Sequence, residues 1–459
     1  MPHLSSHMSL LLKRLISIFL WVLLLQFVLQ TRVTFVWWRD GPLMSIVWLW
    51  KEILVGVLLI WWAWRGLRDI KLLFHHRWFL SFVLACTFGI LTTLVVHVLV
   101  LDLSLSTRAL AFKYDFLWFI IFIAGALVWR LLGNDITSEI VKRYTVRIMK
   151  RVLLLALVRY AVIFIKPGTL KLLWYDNFVY EWTVWYAPPA AYYTHLNYGI
   201  PRNQFLFERP ITRWFFLLAL WPLFFMQVLY KQPLRYTRAW RLIYGANIFV
   251  TFSRAARWAR LLQILLLWFL LAKAHGNVRR TLVRIIIPVA LVIGVVWFFG
   301  GKDLVVRDYS TNGHVAMVLK GIAYFSQSPW FGLWWASVWP GSHHLGWLAF
   351  NPENQFLQIL VEFGIVWWRW WFVCYAMLNL VWIRRRYSWH LSVSRKSAHI
   401  DTQYDTQQTA QLLLACSVGM IWLSIVGMVL HSFTDRMIVY PYMLLFGIIL
   451  SRTLPRSWN

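Results

Sequence analysis

Apolar runs of roughly 20 residues recur along this chain, separated by short connections dense in Lys and Arg. A run of that length is what an α-helix needs to cross the hydrocarbon core of a bilayer. Backbone N–H and C=O groups find no water there, so each spanning segment must satisfy them internally. Of the 459 residues, 60% are hydrophobic and 14% charged, where a soluble domain carries about 25% charged residues. The expectation is an all-α polytopic membrane protein, a single integral membrane domain over 1–459.

Twelve spans are expected, at 11–30, 43–64, 78–101, 115–133, 152–168, 214–230, 237–253, 257–273, 284–300, 356–383, 409–431 and 437–452. Alternate connections are basic. They carry Arg65/Arg68/Lys71/Arg77, Lys142/Arg143/Arg147/Lys150/Arg151, Lys231/Arg235/Arg238/Arg241, Lys273/Arg279/Arg280/Arg284 and Arg384/Arg385/Arg386/Arg395/Lys396. Positively charged connections stay in the cytoplasm, so 384–408 is expected to be a cytoplasmic loop and both termini cytoplasmic. Met1–Met8 is a polar start with no small-residue cleavage site, which reads as a retained anchor. The net charge of +29 is spread over many short loops. That distribution suits anionic lipid head groups and not nucleic acid, which calls for one concentrated patch.

Two expected outer loops are long: 169–213, rich in Tyr, Trp and Pro, and 301–355, rich in Gly, Ser, His and Trp. Long ordered loops usually carry function. Four polar constellations fall on this outer side. They are Arg202 with Glu208 and Arg209; Arg254 in TFSR; Glu353-Asn354 in NPENQFLQILVEFG, with Glu362 two turns further; and His431 to Arg436, HSFTDR, which includes Asp435.

Each residue type has a chemistry and a structural competitor. Arg presents a permanent charge and a planar fork of donors that fits phosphate, or it snorkels to the interface. Two outward Arg on different helices suit a diphosphate and its departure as a leaving group. A carboxylate beside them suits proton abstraction from a hydroxyl, or Glu353 simply complements a helix N-terminus. Asn354 is itself a fitting helix cap. Glu362, deeper in the helix, is expected to pair internally. His314, like His343-His344, is an alternative base or sugar contact. No Walker, GxGxxG or HExxH spacing occurs, and Cys86, Cys374 and Cys416 all fall inside expected spans without CxxC spacing. Neither a metal nor a cofactor is expected.

These motifs resemble the O-antigen ligase-like membrane proteins, which include O-antigen ligases, O-antigen polymerases and protein O-oligosaccharyltransferases. The resemblance rests on PRNQFLFERPITRWFFLLALWP (201–222), TFSRAA (251–256), STNGHVAMVLKGIAYFSQSPWFGL (310–333) and NPENQFLQILVEFG (351–364). It implies a glycosyltransferase of the bacterial cytoplasmic membrane. Such an enzyme moves a glycan from an undecaprenyl-diphosphate carrier to an acceptor glycan, lipid or protein, without metal or nucleotide. It implies that Arg202 and Arg254 bind the diphosphate and that Glu353 and Asn354 are catalytic. Arg209, His314, His431 and Asp435 are accessory candidates. Glu353 stands where the ligases typically have the His of a His-Asn motif, a departure that brings polymerase or another acceptor chemistry forward. The rival outside this class is a polytopic transporter or flippase. Such a protein usually shows related halves and midplane charges, whereas here the polar residues collect outside.

The chain contains 33 Trp. Trp334-Trp335 and Trp367-Trp368 occupy positions where the resembled family has Gly, a residue that permits tight turns and close helix approach. Two readings are open: Trp enrichment at membrane interfaces, or UGA codons that specify Gly in the source lineage. The codons separate them. UGG at these positions leaves enrichment standing, and UGA replaces the Trp pairs with Gly.

Overall fold

The computed structural model describes seven helices, one β-hairpin and some shorter stretches. The helices are α1 (Leu117–Leu132), α2 (Ser138–Ile165), α3 (Thr237–Phe249), α4 (Asp308–Gln327), α5 (Gln355–Ala376), α6 (Ile400–Gly427) and α7 (Arg436–Ser451). The hairpin pairs β1 (Asn177–Tyr180) with β2 (Thr183–Tyr186). Also described are 215–219, 221 and 222, 328–333, and single positions including 56, 84, 87, 88, 91, 95, 113, 116, 260, 262, 263, 265, 337, 338, 352 and 354.

The tightest packing joins α1 to α7. Gly125 lies against the Leu444 carbonyl and Gly447 against the Phe122 carbonyl, so closely that a Cβ at either glycine would overlap backbone atoms of the other helix. Ala124 and Ala126 are buried on the same seam. Small residues let two helix backbones approach closely, which increases dispersion contact along the seam. Aromatic rings close it on both sides, with Phe122 and Phe446 centroids 5.6 Å apart. The Tyr440 hydroxyl donates to the Lys113 carbonyl at 2.9 Å.

α6 packs beside α7, and the Tyr442 hydroxyl donates to the Cys416 carbonyl. Ser417 and Ser424 donate to carbonyls four residues back in their own helix, each at 2.9 Å. Their hydroxyls are thereby satisfied among apolar neighbours. α2 meets α3 through Asn247, whose amide donates to the Leu153 carbonyl at 3.1 Å. Lys150 also sits 5.1 Å over the Trp240 ring, where burial lowers its pKa.

Helix limits follow local chemistry. α1 nearly coincides with the expected span 115–133. α2 begins fourteen residues before the expected start at 152 (152 − 138), so the basic run Lys142–Arg151 is helical instead of a connection. Lys and Arg are good helix formers, and no Gly or Pro interrupts 138–165. The helix ends just before Lys166-Pro167, where the residue preceding proline disfavours helical dihedrals. The two long connections are also partly regular. β1 and β2 lie in 169–213, with Phe, Val, Tyr and Trp suiting paired strands. α4 occupies 20 residues of 301–355.

Among the described residues no helix is long and apolar enough to cross a membrane. The expected spans 11–30 and 284–300 lie outside the described residues.

The glycine seam makes a direct prediction. Gly447→Leu should force α1 and α7 apart and lower the unfolding free energy by about 3 kcal/mol. Thermal unfolding of the purified chain measures this, and a wild-type melting profile would show that the seam tolerates a side chain.

Candidate functional site

The site is built around α5, which carries the NPENQFLQILVEFG segment. Its first turn has the four unpaired N–H groups common to every helix start. Asn354 supplies one partner: its Oδ1 accepts from the Leu357 N–H at 2.9 Å. Its backbone carbonyl accepts from Gln358 N–H at 2.9 Å, closing the first turn. Asn354 is therefore the N-cap. Its Nδ2 makes no hydrogen bond among the described residues.

A polar face continues down the helix where an apolar one is the rule. Gln355, Gln358 and Glu362 fall at i, i+3 and i+7, so they share one side. All three are buried, Glu362 to 1% exposure. Gln355 Nε2 donates to Gln358 Oε1 at 3.5 Å, and Gln358 Nε2 donates to Glu362 Oε2 at 3.4 Å. Glu362 Oε1 accepts from the Val338 N–H at 3.4 Å. These are long bonds, so the ladder orients its members more than it binds them tightly. Val338 packs with Leu357 and Val361, and Val318, Tyr324 and Phe325 of α4 close over that cluster. Glu362 thus ties α5 to the far limb of the 301–355 connection.

Immediately after Glu362 the helix breaks. Gly364 has φ 69° and ψ 178°, and Gly332 has φ 80°. The SPWFGL segment, 328–333, fills the break. Leu333 N–H donates to the Val361 carbonyl at 2.8 Å, and Ile365 N–H donates to the Pro329 carbonyl at 2.9 Å. In an unbroken helix Ile365 and Val361 would have bonded each other. Here one internal bond is exchanged for two external ones, so neither group is orphaned. A Cβ on Gly332 would run into the backbone of Glu362 and Phe363, and one on Gly364 into that of Trp330 to Gly332. Both positions therefore need glycine for space as well as for dihedral freedom.

A second polar cluster lies where helical residues of 215–222 and 260–265 meet α3. The Arg260 guanidinium sits 5.0 Å from the Trp221 ring centroid and 4.7 Å from that of Tyr244. Those two rings stack at 4.2 Å. Tyr244 hydroxyl donates to the Leu217 carbonyl at 2.7 Å, and Gln263 Nε2 to the adjacent Leu218 carbonyl at 2.9 Å. The other Gln263 amide atom, Oε1, is buried without a hydrogen-bond partner. Cation–π contacts contribute about 2 kcal/mol when desolvated, while removing an ion from water costs several kcal/mol.

Of the residues singled out from sequence, the structure places Asn354 at the α5 cap and His314 half-buried in α4. It places Glu362 among Gln358 and Val338. Arg202, Arg209, Arg254, Glu353, His431 and Asp435 lie outside the described residues, as do Trp334 and Trp335. Among the described residues no group of His, Cys, Asp and Glu is arranged to hold a metal. Sequence reading missed Gln355 and Gln358, although polar residues at helical spacing in an apolar helix are a visible signal. Arg260 was missed because Arg254, six residues earlier, matched a motif.

Two substitutions separate the roles within α5. Gly364→Ala should cost about 3 kcal/mol or more, through backbone overlap and a dihedral region closed to alanine. Glu362→Gln should be tolerated better than Glu362→Ala, because Gln keeps an acceptor for Val338. Denaturation of the purified variants checks both, and equal stability of the two Glu362 variants would remove the Val338 bond from the account.

No family model, curated protein or solved structure matches the chain.

Proposed function

We propose that this chain is a polytopic glycosyltransferase of a bacterial cytoplasmic membrane. It would transfer a glycan from undecaprenyl diphosphate to an acceptor hydroxyl on a glycan, lipid or protein. The observation that carries this reading is the capped start of α5. Asn354 Oδ1 fixes the first turn of the helix, directly after Glu353 in sequence, and the Gly332–Gly364 interlock anchors the same helix nine residues further on. Glu353 precedes this helix start by one residue in sequence, and a helix N-terminus favours an anion near it.

The chemistry follows as a single displacement. The acceptor O–H gives its proton to the Glu353 carboxylate as its oxygen bonds to the anomeric carbon. The bond from that carbon to the diphosphate oxygen breaks, and undecaprenyl diphosphate leaves with the electron pair. Arg202 and Arg254 balance the charge that grows on the leaving group. Asn354, with Nδ2 directed away from its capping bond, orients the acceptor. Attack opposite the leaving group inverts the anomeric centre. His314, Arg209, His431 and Asp435 are accessory contacts in this scheme.

Contact with lipid is supported by an exposed apolar stripe. Leu84, Phe88, Leu91 and Val95 recur at helical spacing and are each more than half exposed. Contiguous exposed apolar surface of this kind marks a membrane or partner interface.

Glu353→Gln should lower transfer by about 100-fold or more, the usual contribution of a general base. Arg254→Lys should lower it too, because the ammonium cannot reproduce the guanidinium fork. Both are read by release of undecaprenyl diphosphate from a glycosylated carrier in proteoliposomes. Undiminished turnover in Glu353→Gln would eliminate Glu353 as the base.

A further inference from the structure

We infer that Arg260 is a further diphosphate-binding residue, held ready in the outer leaflet by Trp221 and Tyr244 for the charged head of an isoprenoid carrier. The inference rests on the carrier-dependent reading above and extends it to a cluster that neither the resemblance nor the Glu353 scheme uses.

Three observations converge. The first is a cation with no carboxylate partner among the described residues. Arg260 is largely withdrawn from water against two stacked rings. Ring faces attract a guanidinium but carry no net charge, so they position it without neutralising it. A guanidinium offers a planar fork of N–H donors, the geometry that phosphate accepts.

The second is a buried polar group beside it. The guanidinium packs over Gly245 of α3, where a Cβ would sit at ordinary contact distance, 3.6 Å from Nη1. One turn along from Arg260, Gln263 is 0% exposed, with Oε1 unpartnered. A buried amide oxygen calls for a donor, and a phosphate cannot supply one at neutral pH. A glycosyl diphosphate brings both halves, phosphate oxygens for Arg260 and sugar hydroxyls for Gln263.

The third is placement. Arg254, Arg257 and Arg260 recur every third residue. The alternation of basic connections puts this end of the expected span 257–273 outward. Tyr244 and Gln263 are bonded to the consecutive carbonyls of Leu217 and Leu218, so the elements that follow Arg202 and Arg254 in sequence meet at this cluster.

The test uses the full chain in detergent with radiolabelled farnesyl diphosphate as the carrier mimic. Saturable binding is expected, with at least tenfold weaker affinity in Arg260→Gln. A parallel measurement needs no variant: phenylglyoxal labels accessible arginines, and farnesyl diphosphate should lower labelling of Arg260 at least threefold, read by peptide mass spectrometry. Saturable binding with Arg260 labelling unchanged overturns the assignment of Arg260 and leaves the transferase reading intact. Absence of saturable binding overturns both. Protection of Arg260 by phosphatidylglycerol vesicles but not by farnesyl diphosphate makes it a bulk-lipid contact and likewise overturns the inference.

Discussion

The exchange of backbone bonds at Gly364 holds the candidate site together. Breaking a helix strands a donor and a carbonyl, and among apolar neighbours each stranded group is expensive. The 328–333 segment accepts one and donates to the other, so the break becomes a joint between two parts of the chain 32 residues apart (364 − 332). Everything near the head of α5 is referenced to that joint. Glu362 stands two residues before it and reaches Val338. The polar ladder runs from Glu362 back to Gln355, and Phe363 meets Phe116 at 6.0 Å, linking the joint to the start of α1.

Among the described residues, several helices were legible in the sequence, because apolar runs and their flanking charges act locally. The expected spans 115–133, 237–253, 409–431 and 437–452 each overlap α1, α3, α6 and α7. Asn354 as a cap was also legible, since capping needs only the three residues that follow. The joint was not. Nothing in FGL or EFG announces that Gly332 and Gly364 will press backbone to backbone, because that requirement exists only once the two segments meet. α4 was hidden for a different reason: Gly, Ser and Asn at 310–313 look like loop residues, yet the helix runs through them. Tertiary packing of Val318, Tyr324 and Phe325 outweighs their weak propensity.

The polar residues of α5 and those around Arg260 meet burial in different ways. Along α5, amide and carboxylate bond to one another and to a backbone N–H, with Gln355 Oε1, like Gln263 Oε1, left buried without a partner. Around Arg260 the described residues supply two aromatic rings and no carboxylate.

The α1–α7 seam has a consequence for biogenesis. α1 leaves the ribosome about 300 residues before α7 (436 − 132 = 304). Until then the Gly125 face lacks the α7 backbone that fills it, and a bare glycine seam is a surface on which other helices can dock. Assembly of this core therefore waits on the last described helix. A nascent chain stalled before 436 carries the other six described helices yet lacks the one that packs on α1. Synthesis order, and not only the final packing, decides how long that seam stays uncovered.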